Sequence, residues 1–233
     1  PHPDFRSMMA TDFRAEKLRL FKVYCLFARQ IIRGAQLYVD LWDHKPPGIY
    51  YLYLPAALIP NVGKSIFYGY AFLWGFLDLL LFKILTHRLG GRQLSTVATF
   101  LAAFFFAGMS IQGTSGNAEI WVLSTVLTSN LLFLWGLNVR KGYAFLCAGI
   151  AIGLGLIIKH TAVIQIPLFV SYLLFLHSRL KGKRQPVVVP LLWIMVGTLV
   201  PLLVLCGGFM FFGLLEPMLQ QVFSANRAYL FEG

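Results

Sequence analysis

Residues 65–86 read SIFYGYAFLWGFLDLLLFKILT, an apolar run broken by one carboxylate, Asp78, and one ammonium, Lys83. About 20 apolar residues suffice to cross the hydrocarbon of a bilayer, and this run meets that length. Comparable runs follow at about 94–112, 117–138, 143–159, 161–177 and 187–213. Those at 143–159 and 161–177 are of about 17 residues, the short end of the spanning range. The 233 residues are 58% hydrophobic and 12% charged, against about 25% charged in soluble domains, and the mean hydropathy is +0.71. In lipid a spanning segment must satisfy its own backbone. The expected fold is therefore all-α, a polytopic transmembrane helical bundle of six spans; a soluble helical domain is disfavoured by the same lengths.

The links between the runs carry charge in alternation. The first holds Lys83, His87, Arg88 and Arg92, the third Arg140 and Lys141, and the fifth Arg179, Lys181, Lys183 and Arg184. The second link, 112–116, has no basic residue, and the fourth has Lys159 alone beside His160. Cytoplasmic loops concentrate Lys and Arg, so the first, third and fifth links are expected inside and the others outside. This accounts for part of the net charge of +11 without nucleic acid. Cys25, Cys147 and Cys206 show no metal or redox spacing, and those inside apolar runs behave as small hydrophobes.

Four segments are expected. Residues 1–33 are too charged to span, with Arg6, Arg14, Lys17, Arg19, Lys22, Arg29 and Arg33 against Asp4, Asp12 and Glu16; they read as a surface amphipathic helix or a disordered segment. Residues 34–64 form an outer loop whose apolar stretch 49–60, short and interrupted by Pro55 and Pro60, reads as a re-entrant or juxtamembrane helix. Residues 65–213 are the six-span bundle, and 214–233 begin a further outer loop. The chain starts at Pro1 without a signal-peptide pattern and reads as an internal or truncated piece of a longer protein.

The scarce charges gather at 40–48, DLWDHKPPG. The alternation places Asp40, Asp43, His44 and Lys45 on the outer side, together with Asn117 and Glu119 at the head of the third span, Lys159 and His160, and Glu216 with Asn226, Arg227 and Tyr229. Ionisable groups at membrane depth usually face a protein interior or wet cavity, so these residues suggest an outward-facing polar site. Plainer readings stand beside it. Asp40 and Asp43 could be solvated or cap the next helix, with Pro46 and Pro47 in its first turn. Glu119 could be an interfacial residue favoured by a helix N-terminus, and Lys159 could snorkel to headgroups. Asp78, mid-span, reads as a polar contact between helices.

The run from Ala28 to Gly34, with Gly-x-x-x-Tyr-x-Asp-x-x-Asp-x-Lys-Pro-Pro from Gly34 to Pro47, resembles the first outer loop of the GT-C glycosyltransferases. It is most similar to bacterial members related to protein O-mannosyltransferases and to the lipid A aminoarabinose transferase. Gly116-Asn-Ala-Glu119 is similar to the family's second acidic outer motif. Leu156-Ile-Ile-Lys159, with Pro167 in the next helix, resembles its lysine-bearing outer turn. The resemblance implies inverting transfer of a sugar from a polyprenyl-phosphate donor to a lipid, glycan or protein acceptor, at the outer face of a bacterial cytoplasmic (inner) membrane. It implies Asp43 and Glu119 as the acidic catalytic residues and Lys45 and Lys159 as phosphate contacts, with Asp40, His44, Asn117 and His160 beside them in the substrate site. Some members of the superfamily use a divalent metal, but no spacing here demands one. One departure stands out: if Tyr24 is the tyrosine of the family's first loop helix, Leu20 and Phe21 occupy the place of its acidic pair, so that either the N-terminal 25 or so residues are displaced by a truncation or reading-frame error or this copy lacks the base that the pair commonly supplies. The alternatives are a transporter or flippase-like protein handling lipid-linked sugars, and a paralogue that binds such a lipid without transferring its sugar.

Overall fold

The computed structural model describes residues 19–59, 64–107, 118–179 and 187–224. Among them the chain is helical, with no strand beyond an isolated bridge between Leu37 and Leu41. Helix α1, Arg19–Ile32, buries Tyr24, Phe27 and Ala28 and half-buries Ile31, the i, i+3, i+4, i+7 stripe of an amphipathic helix. Its stripe lies on two short helices, α2 (Gly48–Leu52) and α3 (Leu54–Ala57). Tyr24 stacks on Tyr53 at 5.8 Å and meets Tyr50 edge-on at 5.9 Å, while Phe27 stacks on Tyr50 at 5.0 Å. Pro55 in the first turn of α3 suits a helix start, where its missing N–H costs nothing. At 1.5 Å per residue, helices of five and four residues cannot cross a bilayer, so the stretch from 48 to 57 lies against the bundle.

Helix α4, Lys64–Ala107, is broken at Gly91, whose φ of 76° and ψ of −172° suit glycine, which lacks the Cβ that resists positive φ. The break reverses the chain. The Ser95 hydroxyl donates to the Lys83 carbonyl at 2.8 Å, although twelve residues of unbroken helix would hold these positions about 18 Å apart. The two arms, 64–90 and 92–107, are therefore antiparallel, and they turn where the sequence carries His87, Arg88 and Arg92. The long apolar stretch thus behaves as the two separate runs expected from the sequence.

Helices α5 (Ala118–Val139), α6 (Gly142–Ile158), α7 (Gln165–Arg179) and α8 (Val188–Phe211) complete the bundle, with a 3-10 turn, His160–Ile164, leading into α7. Among the described residues four helical stretches are long and apolar enough to cross a membrane: Ile66–Phe105, Ala118–Val139, His160–Arg179 and Val188–Phe211. Helix α6, of 17 residues, is shorter but central. A Cβ on Gly149 or Gly153 would strike the carbonyls of Ile194 or Thr198, and one on Gly197 that of Leu146. Small residues let the backbones of α6 and α8 approach, the way helices associate in lipid where burial of apolar surface gives no preference. Phe133 of α5 stacks on Phe169 of α7 at 4.1 Å. Phe72, Phe100, Phe104, Val204 and Phe211 remain exposed on the outer faces, as an apolar solvent allows. The protein is an all-α membrane helical bundle.

Helix α5 runs alongside the first arm of α4, with Trp74 against Trp121 at 4.8 Å and Ser124 Oγ hydrogen-bonded to Asp78 Oδ1; Asp78 does make the interhelical contact its mid-span position suggests. The start of α5, the end of α6 and the segment α1–α3 meet at one end of the bundle. The α4 reversal lies at the other, where Trp135 and Tyr143 close the α5–α6 link at 5.4 Å. After α8, helix α9 (Leu215–Leu219) and a π turn, Gln220–Ser224, fold back over the loop of residues 33–47.

Candidate functional site at one end of the bundle

The loop between α1 and α2 is shaped by its own polar groups. The Gln36 amide donates to Asp40 Oδ2 at 2.8 Å, and the Tyr38 amide to the Leu41 carbonyl at 2.9 Å, closing a tight turn. Tyr38 takes a φ of 71°, uncommon for a residue with a Cβ. Its surroundings hold it there: the phenol donates to the Lys45 carbonyl at 2.6 Å, Phe209 packs on its ring at 5.9 Å, and Gln221 Nε2 donates to its carbonyl at 3.5 Å. Asp40 is thus occupied by an exposed turn. Neither Asp40 nor Asp43 caps α2, whose N-cap is Pro47 with no side-chain hydrogen bond, so the capping reading falls.

Asp43 points the other way and is buried. Its Oδ1 accepts the His44 amide at 2.7 Å and lies 3.2 Å from His44 Nδ1, while Lys45 Nζ stands 3.7 Å from Oδ2. Lys45 also sits over the face of Tyr24, its Nζ 5.2 Å from the ring centroid, a favourable cation–π contact. The buried Tyr50 hydroxyl faces Asp43 but makes no hydrogen bond of good geometry. Burial pushes the phenols of Tyr24, Tyr38 and Tyr50 well above their ordinary value, and the charge of Asp43 adds to it in all three. They stay neutral and serve as apolar walls, and among the described residues the Tyr38 hydroxyl alone of the three donates, to the Lys45 carbonyl.

The second half of the site is built by helix ends. Glu119 lies in the first turn of α5, and Lys159 follows the last residue of α6 in extended conformation, its amide donating to the Gly155 carbonyl at 2.8 Å. Each charge has the sign its helix end favours. Because the helices are antiparallel, the two meet, and Lys159 Nζ donates to Glu119 Oε1. Gly48 joins the halves: a Cβ there would lie 2.5 Å from the Ile157 carbonyl oxygen, so α2 begins directly on the end of α6, beside Lys159. Tyr24 accordingly feels the charges of both Asp43 and Glu119, Lys45 is within electrostatic reach of Glu119, and His44 of His160. The His160 ring lies 5.7 Å from that of Phe223 on the π turn.

Asp43, His44, Lys45, Glu119, Lys159 and His160 therefore share one end of the bundle. Glu216 is exposed and accepts a hydrogen bond from Gln220 at 3.1 Å. Asn117, Asn226, Arg227 and Tyr229 lie outside the described residues, as do residues 1–18. Leu20 and Phe21 fall on α1 one turn before Tyr24. Sequence reasoning missed the aromatic framework of Tyr24, Tyr38, Tyr50, Tyr53 and Trp121, in which Trp121 Nε1 donates to the Tyr53 hydroxyl at 3.4 Å. The available signal was the density of tyrosines flanking a charged motif. Among the described residues no three of His, Cys, Asp and Glu converge as a metal site; Asp43 and Glu119 each face a lysine.

Residues 43–205 match the family described as dolichyl-phosphate-mannose-protein mannosyltransferase. The chain belongs to this family. The match covers well over half the chain, from Asp43 through Glu119 and Lys159 to Leu205 near the end of α8. By family, this mannosyltransferase-like protein is a membrane glycosyltransferase of the GT-C type. No curated protein and no solved structure matches the chain.

Proposed function

We propose that the protein transfers a sugar from a polyprenyl-phosphate donor to an acceptor hydroxyl at the outer face of a bacterial cytoplasmic membrane, with inversion at the anomeric carbon. The bundle would cross six times, with the α4 reversal and the α5–α6 link inside. One observation carries the reading: two carboxylate–lysine pairs, Asp43–Lys45 and Glu119–Lys159, are brought to the same end of an apolar bundle from segments far apart in sequence. Cations beside carboxylates suit a displacement in which phosphate leaves while a hydroxyl loses its proton.

The acceptor oxygen attacks the anomeric carbon, its proton passes to Asp43, and the anomeric carbon–phosphate oxygen bond breaks with its electron pair going to polyprenyl phosphate. Lys45 and Lys159 stabilise that developing charge through charge-assisted hydrogen bonds. Tyr24 and Tyr38 hold Lys45 in place from its side chain and its carbonyl. Glu119 orients Lys159. A lipid-borne donor explains the location, since its chain remains in hydrocarbon while its sugar reaches water.

The test is sugar transfer from polyprenyl-phosphate sugar in proteoliposomes, comparing the full-length parent with Asp43→Asn. Loss of transfer with donor binding retained is expected. Undiminished transfer by Asp43→Asn overturns the assignment of the base, and donor binding without transfer by the parent itself identifies a binding protein.

A further inference from the structure

Asp78 is fully buried halfway along the first arm of α4, in an otherwise apolar stretch. Its Oδ1 is hydrogen-bonded to Ser124 Oγ, and its Oδ2 has no partner. Ser124 Oγ also lies 3.3 Å from the Ile120 carbonyl oxygen in the first turn of α5, the turn that carries Glu119. Among the described residues no cation pairs with Asp78. The ionisable groups on the helices packed here are Lys64, Tyr68, Tyr70, Lys83, His87, Arg88 and Arg92 of α4 and Glu119 of α5.

We propose that Asp78 is a positioning residue for Glu119, acting as a neutral carboxylic acid; this rests on the proposed function above. An ionised carboxylate buried in apolar surroundings with a bare oxygen is far costlier than a neutral acid whose carbonyl oxygen lacks a partner. Ser124 has one hydroxyl proton and faces two acceptors. With the acid proton on Oδ1, Asp78 donates to Ser124 Oγ and Ser124 donates to the Ile120 carbonyl, so one chain of donors runs from α4 into the first turn of α5. Trp74, one turn before Asp78, packs on Trp121 of that same turn. Together the two contacts fix the height and rotation of the helix end presenting Glu119 to Lys159.

The experiment compares wild type with Asp78→Asn, Asp78→Ala and Ser124→Ala in proteoliposomes. Infrared difference spectra at neutral pH read the protonation state without reference to activity. Wild type minus Asp78→Asn is expected to show the C=O stretch of a protonated carboxylic acid, shifted in Ser124→Ala; carboxylate bands alone overturn the proposal. Asp78→Ala is expected to lower turnover about tenfold, the rate equivalent of one buried hydrogen bond, with donor KM little changed. Asp78→Asn, which can still donate to Ser124, restores it. An Asp78→Asn protein as impaired as Asp78→Ala also overturns it. A wild type that transfers no sugar refutes the function while the infrared comparison still decides the state of Asp78.

Discussion

Gly48→Ala is the sharpest perturbation of the site's architecture. The added methyl would lie 2.5 Å from the Ile157 carbonyl oxygen, 2.9 Å from its carbonyl carbon and 3.1 Å from Cγ1. Ordinary contact begins at 3.4 Å, so α2 must withdraw from the end of α6 by about 0.9 Å, the difference between those two distances. The neighbour is backbone held in the last turn of a helix and cannot swing aside. Overpacking of this kind costs about 1–3 kcal/mol, and each kcal/mol lowers Tm by about 2–4 °C in a chain of this size. The functional effect should exceed the stability effect. Lys45 precedes Gly48 by three residues and Lys159 follows Ile157 by two, so the shift parts the two lysines directly, and a misplacement near 1 Å can cost about 100-fold in rate. The assay pairs thermal unfolding of the detergent-purified protein with sugar transfer in proteoliposomes. Gly69→Ala is the control, an exposed glycine of α4 whose added methyl would meet nothing within 4 Å. A Gly48→Ala protein with the Tm and transfer rate of that control would refute the inferred contact between α2 and α6.

Other consequences are equally direct. Lys159→Ala should weaken donor binding at least about tenfold, by removing one charge-assisted phosphate contact, while Lys159→Arg retains most of it; equal binding by both in a vesicle-binding assay refutes the phosphate role. A cysteine replacing Ser115 should react with a membrane-impermeant maleimide added outside intact cells, and labelling only after the membrane is opened refutes the orientation. Leu20→Asp combined with Phe21→Glu supplies carboxylates one turn before Tyr24 on α1. Transfer should rise in this double variant, and an unchanged rate refutes the idea that this turn needs an acid.

The bundle was legible because lipid imposes a simple code. A segment that must close its own hydrogen bonds reads as a long apolar run, and the link of His87, Arg88 and Arg92 marks where one run ends and the next begins, while the structure alone shows the break to lie at Gly91. The clustering of charge at 40–48 was legible for the same reason, since charges are rare where they are costly. Asp40 was not separable from Asp43 in sequence. Both are carboxylates three residues apart, and only the turn closed by the Gln36 amide shows that one is spent on loop shape while the other faces Lys45.

By itself the sequence determined the solvent, the helical class, the runs and the residues with chemistry to offer. The tertiary structure alone decided which of them meet. Glu119 and Lys159 are forty residues apart and join because α5 and α6 are antiparallel and each helix end attracts the charge it carries. Lys45 joins them because Gly48 has no side chain to hold α2 off the end of α6, and tyrosines from α1, the loop and α2 wall the space around it. Composition and spacing record which charges exist; a cluster is a matter of distance, and distance is set by packing.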